Sequence, residues 1–158
     1  MALFAIFTFF AVGRIPLAYG QGDTVGQDQL EKELGSARLT DTIAGSALAL
    51  HARMWRNLMP GPEARSAEVR IAATVDILGG AHPGDIAVTR LWVLSSGGKP
   101  VEASIAWRLA THGGLRVVAT ASVPTGLVAG VWVVAEATDS AGGQRFIRSP
   151  GTNIEEAR

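Results

Sequence analysis

Apolar and polar residues alternate along the second half of the chain from near Ala67, a pattern that predicts β-strands. Apolar residues occupy every second position from Val69 to Ile77, and mostly polar residues lie between them. A period of two places alternate side chains on opposite faces, so this segment predicts a strand with one buried and one solvated face. The pattern recurs twice, and it predicts inward side chains at Val101, Ala103, Ile105, Trp107 and Leu109, and at Leu115, Val117, Ala119, Ala121 and Val123.

Three more segments complete the predicted sheet. The stretch from Ile86 to Leu94 is apolar on both faces, which is typical of a central strand. Residues 131–138 and 144–148 predict a fifth strand and a short sixth strand. Turn residues separate the strands, and no helical pattern connects them, so we expect an antiparallel β-sandwich over residues 67–150. A polar tail is expected over residues 151–158.

Two helical segments are predicted before the sheet, within residues 21–62. A polar spacer over residues 21–26 leads into good helix formers at residues 27–35. A second, amphipathic helix is predicted to begin near Thr40 and to end at Pro60. Its apolar stripe consists of Ile43, Ala47, Leu50, Met54 and Leu58.

The end of the second helix carries Trp55 between Arg53 and Arg56. An aromatic residue beside basic residues favours a membrane surface. Packing against the sheet or a partner protein explains the same pattern, and basic residues also suit the C-terminal end of a helix dipole. Trp55 is therefore a candidate contact residue.

The first twenty residues are a candidate signal peptide or membrane anchor. The run from Ala2 to Val12 is almost wholly apolar; it is too short to span a bilayer but fits the apolar region of a secretory signal. Small residues at Ala18 and Gly20 predict cleavage before Gln21, although no basic residue precedes the run. A retained anchor and a buried first element of the domain are the alternatives. A signal or an anchor predicts an exported, periplasmic or extracytoplasmic protein, with membrane contact through residues 1–20.

Composition limits the function classes. The chain has 158 residues, of which 47% are apolar and 18% charged, so it can bury a sizeable core. Its formal net charge is zero, which gives no overall field to attract nucleic acid. The chain has no cysteine, which excludes disulfides, thiolate catalysis and zinc–cysteine sites.

Two stretches in the β-rich half carry a resemblance to a known family. In LWVLSSGGKPVEASIAW, from Leu91 to Trp107, a strand passes through a Gly-Gly-Lys-Pro turn into a strand that opens with Val-Glu-Ala. The stretch GVWVVAEATDSAGG, from Gly130 to Gly143, has the form of a closing hairpin. On these patterns, residues 67–150 resemble a bacterial immunoglobulin-like β-sandwich domain, without the Cys…Trp…Cys pattern of antibody domains.

The resemblance implies a fold more than a role. Bacterial families with this fold include adhesion modules, filament subunits, accessory subunits of membrane complexes and periplasmic copper-handling domains. It carries over no catalytic residue, and we expect no enzyme. The Gly-Gly pairs read as turns between strands, and the chain has no G-x-S-x-G nucleophile elbow.

Three polar residues form a candidate metal site. The turns that carry His82 and His112 follow the first and third predicted strands, and Asp139 follows the fifth, so connectivity places all three at one end of the sandwich. Two imidazoles and a carboxylate suit copper or zinc, and Asp85 lies close in sequence. The same residues are also ordinary turn formers.

The outward face of the fifth strand is a candidate partner-binding surface. Trp132, Val134 and Glu136 share this face, and Trp92 lies outward on the second strand. If the middle helix does not cover them, they expose an apolar patch suited to another protein subunit. The sequence therefore predicts a non-enzymatic structural or accessory subunit that docks on a larger membrane-associated assembly. The alternative is a periplasmic domain that binds copper or zinc.

Overall fold

A computed structural model of the chain describes residues 23–57, 68–80 and 82–157. Within these ranges the chain forms one α-helix, nine β-strands and a single 3-10 turn at Pro83–Asp85. The elements in chain order are α1 (Asp23–Gly35), β1 (Thr40–Ile43), β2 (Ser46–Asn57), β3 (Glu68–Leu78), β4 (Ile86–Ser95), β5 (Val101–Thr111), β6 (Gly114–Ser122), β7 (Val131–Asp139), β8 (Gln144–Arg148) and β9 (Ile154–Ala157).

The strands form one nearly closed sheet. Its order is β1-β2-β3-β6-β5-β4-β7-β8 with antiparallel neighbours, and β9 adds to β2 in parallel. The two ends of this order meet where the backbone N–H of Arg148, on β8, donates to the carbonyl oxygen of Arg38 at 2.8 Å. The predicted mainly β, antiparallel architecture is confirmed.

The core lies inside the curved sheet. Every second residue of β3, from Val69 to Ile77, is buried as the alternation predicted. These side chains pack in one cluster with those of the opposite half of the sheet, such as Val88, Val133 and Ile147. Burial of each such aliphatic side chain contributes about 1.5–3 kcal/mol relative to exposure. The predicted central strand is also confirmed, because β4 lies between β5 and β7.

The predicted amphipathic helix near Thr40 is wrong, because this segment folds as the hairpin of β1 and β2. Ala44 and Gly45 form its two-residue loop, with φ angles of 48° and 76°. Positive φ at both central residues is the requirement of a tight hairpin turn. Leu50 and Met54 are four residues apart, which fits the helical stripe that the sequence predicts and also fits the alternation of a strand. Leu48, which the helical stripe left out, is fully buried on the same face.

The chain also departs from the sequence prediction at both flanks of the sheet. The helix begins at Asp23, inside the stretch predicted as a spacer. The predicted polar tail, residues 151–158, contains β9, and Ile154 is buried in the core. Residues 1–20 lie outside the described ranges, so the predicted signal or anchor does too. Among the described helices, none is both long and apolar enough to cross a membrane.

Candidate binding surface

Helix α1 covers the outer face of β4, β7 and β8. Leu34 of the helix and Ala37, which follows it, are buried against the sheet. The covered cluster also contains Trp92, Leu94 and Val134, with Leu30, Trp132 and Phe146 packed partly buried around it. The outer face of these strands is thus covered by α1, and not by the segment after Thr40 that the sequence predicts as a helix.

This packing places three of the predicted partner-binding residues, Trp92, Trp132 and Val134, against the chain's own helix. Val134 is fully buried, Trp92 is 2% exposed and Glu136 is 8% exposed. The Glu136 carboxylate accepts a hydrogen bond from Oγ1 of Thr89 at 2.8 Å. Trp132 and Trp55 are each partly buried, on different strands. These side chains therefore do not form the exposed apolar patch that the sequence had suggested.

The predicted metal ligands lie at turns at one end of the sheet, and two of them accept hydrogen bonds from the backbone of their own turns. Nδ1 of His82 accepts a hydrogen bond from Gly84 N–H at 3.0 Å. Oδ1 of Asp139 accepts from Ala141 N–H at 2.9 Å and from Gly143 N–H at 2.7 Å. His112 is exposed in the turn between β5 and β6. Within the described ranges, no three histidine or acidic side chains form a group that could hold a metal ion.

A β-bulge in β5 changes which side chains face outward. Ile105 pairs with Ala119 on the inner face, but the next pair is Trp107 with Val118, because Ala106 is an extra residue. The predicted inward positions of Trp107 and Leu109 are wrong, because the bulge reverses the faces of the residues that follow it. They are 47% and 53% exposed on the outer face.

The outer face of β2, β3, β6 and β5 carries a groove with a volume of about 690 Å³. Small side chains at Ala72 and Thr74 lie at its centre, since both point outward from β3. Trp107 lines the groove on β5, and residues 150–152 line it beyond β2. The middle of the groove therefore carries small, uncharged side chains, with an aromatic side chain at one edge.

The charged residues around the groove are partly paired. Arg53 forms an ion pair with Glu155 at 3.0 Å, and Nε2 of His51 lies 3.3 Å from a carboxylate oxygen of Asp76. Arg116 is exposed beside Leu109 in the β5–β6 ladder. Among the described residues, no carboxylate pairs with Arg116, so the groove keeps one uncompensated cation next to its apolar edge.

The strands β4 and β5 pair along only a short stretch. Leu91–Val93 pairs with residues 101–103, and beyond this point the two strands separate. Arg108 of β5 reaches across the gap, donating from Nε to the carbonyl oxygen of Val88 at 2.6 Å and from Nη2 to that of Thr89 at 3.1 Å. This seam contains a cleft of about 440 Å³.

An ion pair joins the two strands where they still meet. The guanidinium of Arg90 donates from Nε and Nη2 to the two carboxylate oxygens of Glu102, each at 2.9 Å. It also lies 4.6 Å from the ring centroid of Trp92. The hydrogen bond from Arg90 lowers the pKa of Glu102, and the same bond raises the pKa of Arg90.

Arg56 is a buried arginine that the sequence had placed at a helix end. It is 3% exposed. Its guanidinium donates to the carbonyl oxygens of Thr125 at 2.7 Å and Pro124 at 3.1 Å. A charged side chain is rarely this buried unless it is hydrogen-bonded, so Arg56 ties β2 to the loop before β7 and is part of the structural frame.

Comparison with known proteins finds a likeness among solved structures. No protein-family model matches the chain, and no curated protein matches it. Among solved structures, a DUF4426 family protein from Pseudomonas aeruginosa PAO1 is similar, with a TM-score of 0.44 and 12% sequence identity. The match covers 75% of this chain and 98% of that one.

Proposed function

We propose that the chain is a non-enzymatic accessory module that docks on a partner protein through the outer face of β5 and the adjoining groove. The observation that carries this proposal is the outward position of Trp107 and Leu109. Two large apolar side chains lie near each other on one strand and stay about half exposed, while the opposite outer face is covered by α1. Aromatic residues and arginine are both enriched in protein interfaces.

The sequence supports a wider setting for the module. The apolar first twenty residues favour export and a membrane-associated partner assembly, as a signal or as an anchor. The resemblance to bacterial Ig-like domains fits an accessory subunit. Strand β5 pairs with β4 through residues 101–103 and with β6 through residues 104–111, so it joins two parts of the nearly closed sheet, and this arrangement supports a sandwich-like module.

Co-purification tests this function. A double variant, Trp107→Ser with Leu109→Ser, removes the exposed apolar side chains without changing buried positions. After gentle detergent extraction from the cells that produce the protein, the wild type should retain a partner chain that the double variant loses. Val128→Ser is the matched control, because Val128 is 43% exposed outside this face. Equal recovery of partner chains by all three proteins would contradict docking through this face.

A further inference from the structure

The edge of β5 that faces β4 has no strand partner over most of its length. On its other edge β5 pairs with β6 along residues 104–111, but towards β4 it pairs only through residues 101–103. Within the described ranges no other strand pairs with this edge. An unpaired strand edge presents alternate N–H and C=O groups that can direct the pairing of another chain.

The part of β4 that faces this edge has backbone carbonyl groups that take hydrogen-bond donors from β5. The pairing of β4 with β7 is irregular between Val88 and Arg90, and the carbonyl oxygens of Val88 and Thr89 both accept from Arg108. A side-chain guanidinium thus supplies the N–H donors that a neighbouring strand would supply from its backbone. Because Arg108 is exposed, it can leave this position without a buried charge being moved.

The side chains along the free edge indicate the chemistry of the incoming segment. Residues directly opposite each other on adjacent strands have Cβ atoms about 4.5–5.5 Å apart. A strand beside β5 would therefore place an outward apolar side chain against Trp107. Its next outward position would lie beside Leu109, within reach of the long side chain of Arg116, which has no carboxylate partner among the described residues. A carboxylate at that position complements the charge.

We propose that an extended segment of a partner protein adds as a strand to the free edge of β5, displacing Arg108 from the carbonyls of β4. The segment carries an apolar residue and an acidic residue at alternate positions. This mode of binding rests on the proposed docking function and specifies how the docking face is used. Main-chain hydrogen bonds provide affinity, and the outward pockets provide specificity.

Peptide titration followed by NMR tests this mode. The probe is acetyl-Thr-Glu-Thr-Leu-Thr-Glu-Thr-amide, which has an acidic residue two positions from the apolar one in either chain direction. Two controls carry N-methyl groups at alternate amides, one for each edge, because an N-methylated amide cannot donate. A third control replaces both Glu residues by Gln. The readout is the amide shift of residues 104–111 in the full chain.

We expect saturable shifts along residues 104–111 with the probe. The N-methylated peptide that blocks the pairing edge should bind about tenfold more weakly or worse. The variant Arg108→Ala should bind the probe more tightly than the wild type, since no side chain has to be displaced. The affinity of Arg108→Lys should lie between those of the wild type and Arg108→Ala. Arg116→Ala should weaken binding of the probe, to about the affinity that the wild type has for the Gln peptide.

Three results would overturn the strand-addition mode. One is equal binding of the probe and both N-methylated peptides, which means recognition by side chains alone. Another is the absence of saturable shifts up to about 5 mM in both the wild type and Arg108→Ala. The third is slow hydrogen exchange, in the free chain, of those amides of residues 106–110 that point towards β4. Such protection means that the edge is already paired. Each leaves the co-purification result for the Trp107 and Leu109 variant unchanged, so the two proposals fail separately.

Discussion

Arg108 on β5 donates a 2.6 Å hydrogen bond from Nε to the carbonyl oxygen of Val88 on β4, and this contact joins two strands at a point where their backbones do not pair. The contact shows that the sheet is closed in two ways. Backbone ladders close it nearly everywhere, and a side chain closes it along the β4–β5 seam. The outward residues Trp107 and Leu109 lie beside this weaker closure.

Replacing Arg108 tests its role in the free protein. Arg108→Ala removes the donors to Val88 and Thr89, and we expect a loss of about 1 kcal/mol in the free energy of unfolding, because water replaces part of the interaction at this exposed site. Arg116→Ala is the matched control, and it should change stability by less than about 0.5 kcal/mol. Urea unfolding measures both. Equal effects would mean that Arg108 contributes nothing specific to the seam.

The docking of α1 has its own test. Leu34→Ala removes a fully buried side chain that packs in the cluster with Trp92, and we expect a cost of about 2–4 kcal/mol. Tryptophan emission should also shift to longer wavelength as water reaches the cluster. Leu39→Ala, at a position that is 48% exposed, should do neither. If the two variants behave alike, α1 does not cover this face in solution.

The buried Arg56 should be the most costly of the arginines to remove. Arg56→Ala leaves a cavity and deprives the carbonyl oxygens of Pro124 and Thr125 of their donors, which we expect to cost about 2–4 kcal/mol. Arg53→Ala breaks only an exposed ion pair with Glu155, and it should cost less than about 1 kcal/mol. Thermal or urea unfolding distinguishes them. A stability equal to that of the wild type for Arg56→Ala would contradict the structural role.

The Arg90–Glu102 pair predicts a dependence of stability on pH. Since the folded state lowers the pKa of Glu102, the pair stabilises the fold above the unfolded-state pKa of about 4.3 and loses this effect as the pH falls through the folded-state value. Both side chains are about half exposed, so the contribution should stay below about 1 kcal/mol.

The measurement compares the wild type with Glu102→Gln by urea unfolding. The wild type should be more stable at pH 7, and the difference should shrink as the pH falls to about 3. Glu31→Gln is the control, because Glu31 has no ion-pair partner among the described residues and should show no such trend. A difference that grows on acidification would have the wrong sign for this pair.

The strand pattern could be predicted from sequence where burial alone decides it. Alternation located β3 and β6, and an apolar run on both faces located the central β4. The segment around Leu50 was ambiguous, because apolar residues at spacings of two and four fit a strand and also approximate a helix. Its outcome depends on the tight turn at Gly45 and on pairing with β3, and the second of these is a contact with a later part of the chain.

The candidate surface could not be predicted, because a single extra residue decides it. The bulge at Ala106 turns Trp107 outward, and no residue in that strand signals a bulge in advance. The covering of Trp92 depends on α1, whose apolar residues are few and lie in a polar segment. In both cases tertiary packing selects the exposed side, and the local sequence fits either side equally well.

Site-specific photo-crosslinking at position 107 tests the proposed docking face most directly. A benzophenone side chain replaces Trp107 in one protein and the exposed Leu39 in another, and both are illuminated in the cells that produce them. We predict a discrete heavier adduct from position 107 that is absent from position 39. Adduct patterns that are the same at both positions, or no adduct from position 107, would contradict docking through β5.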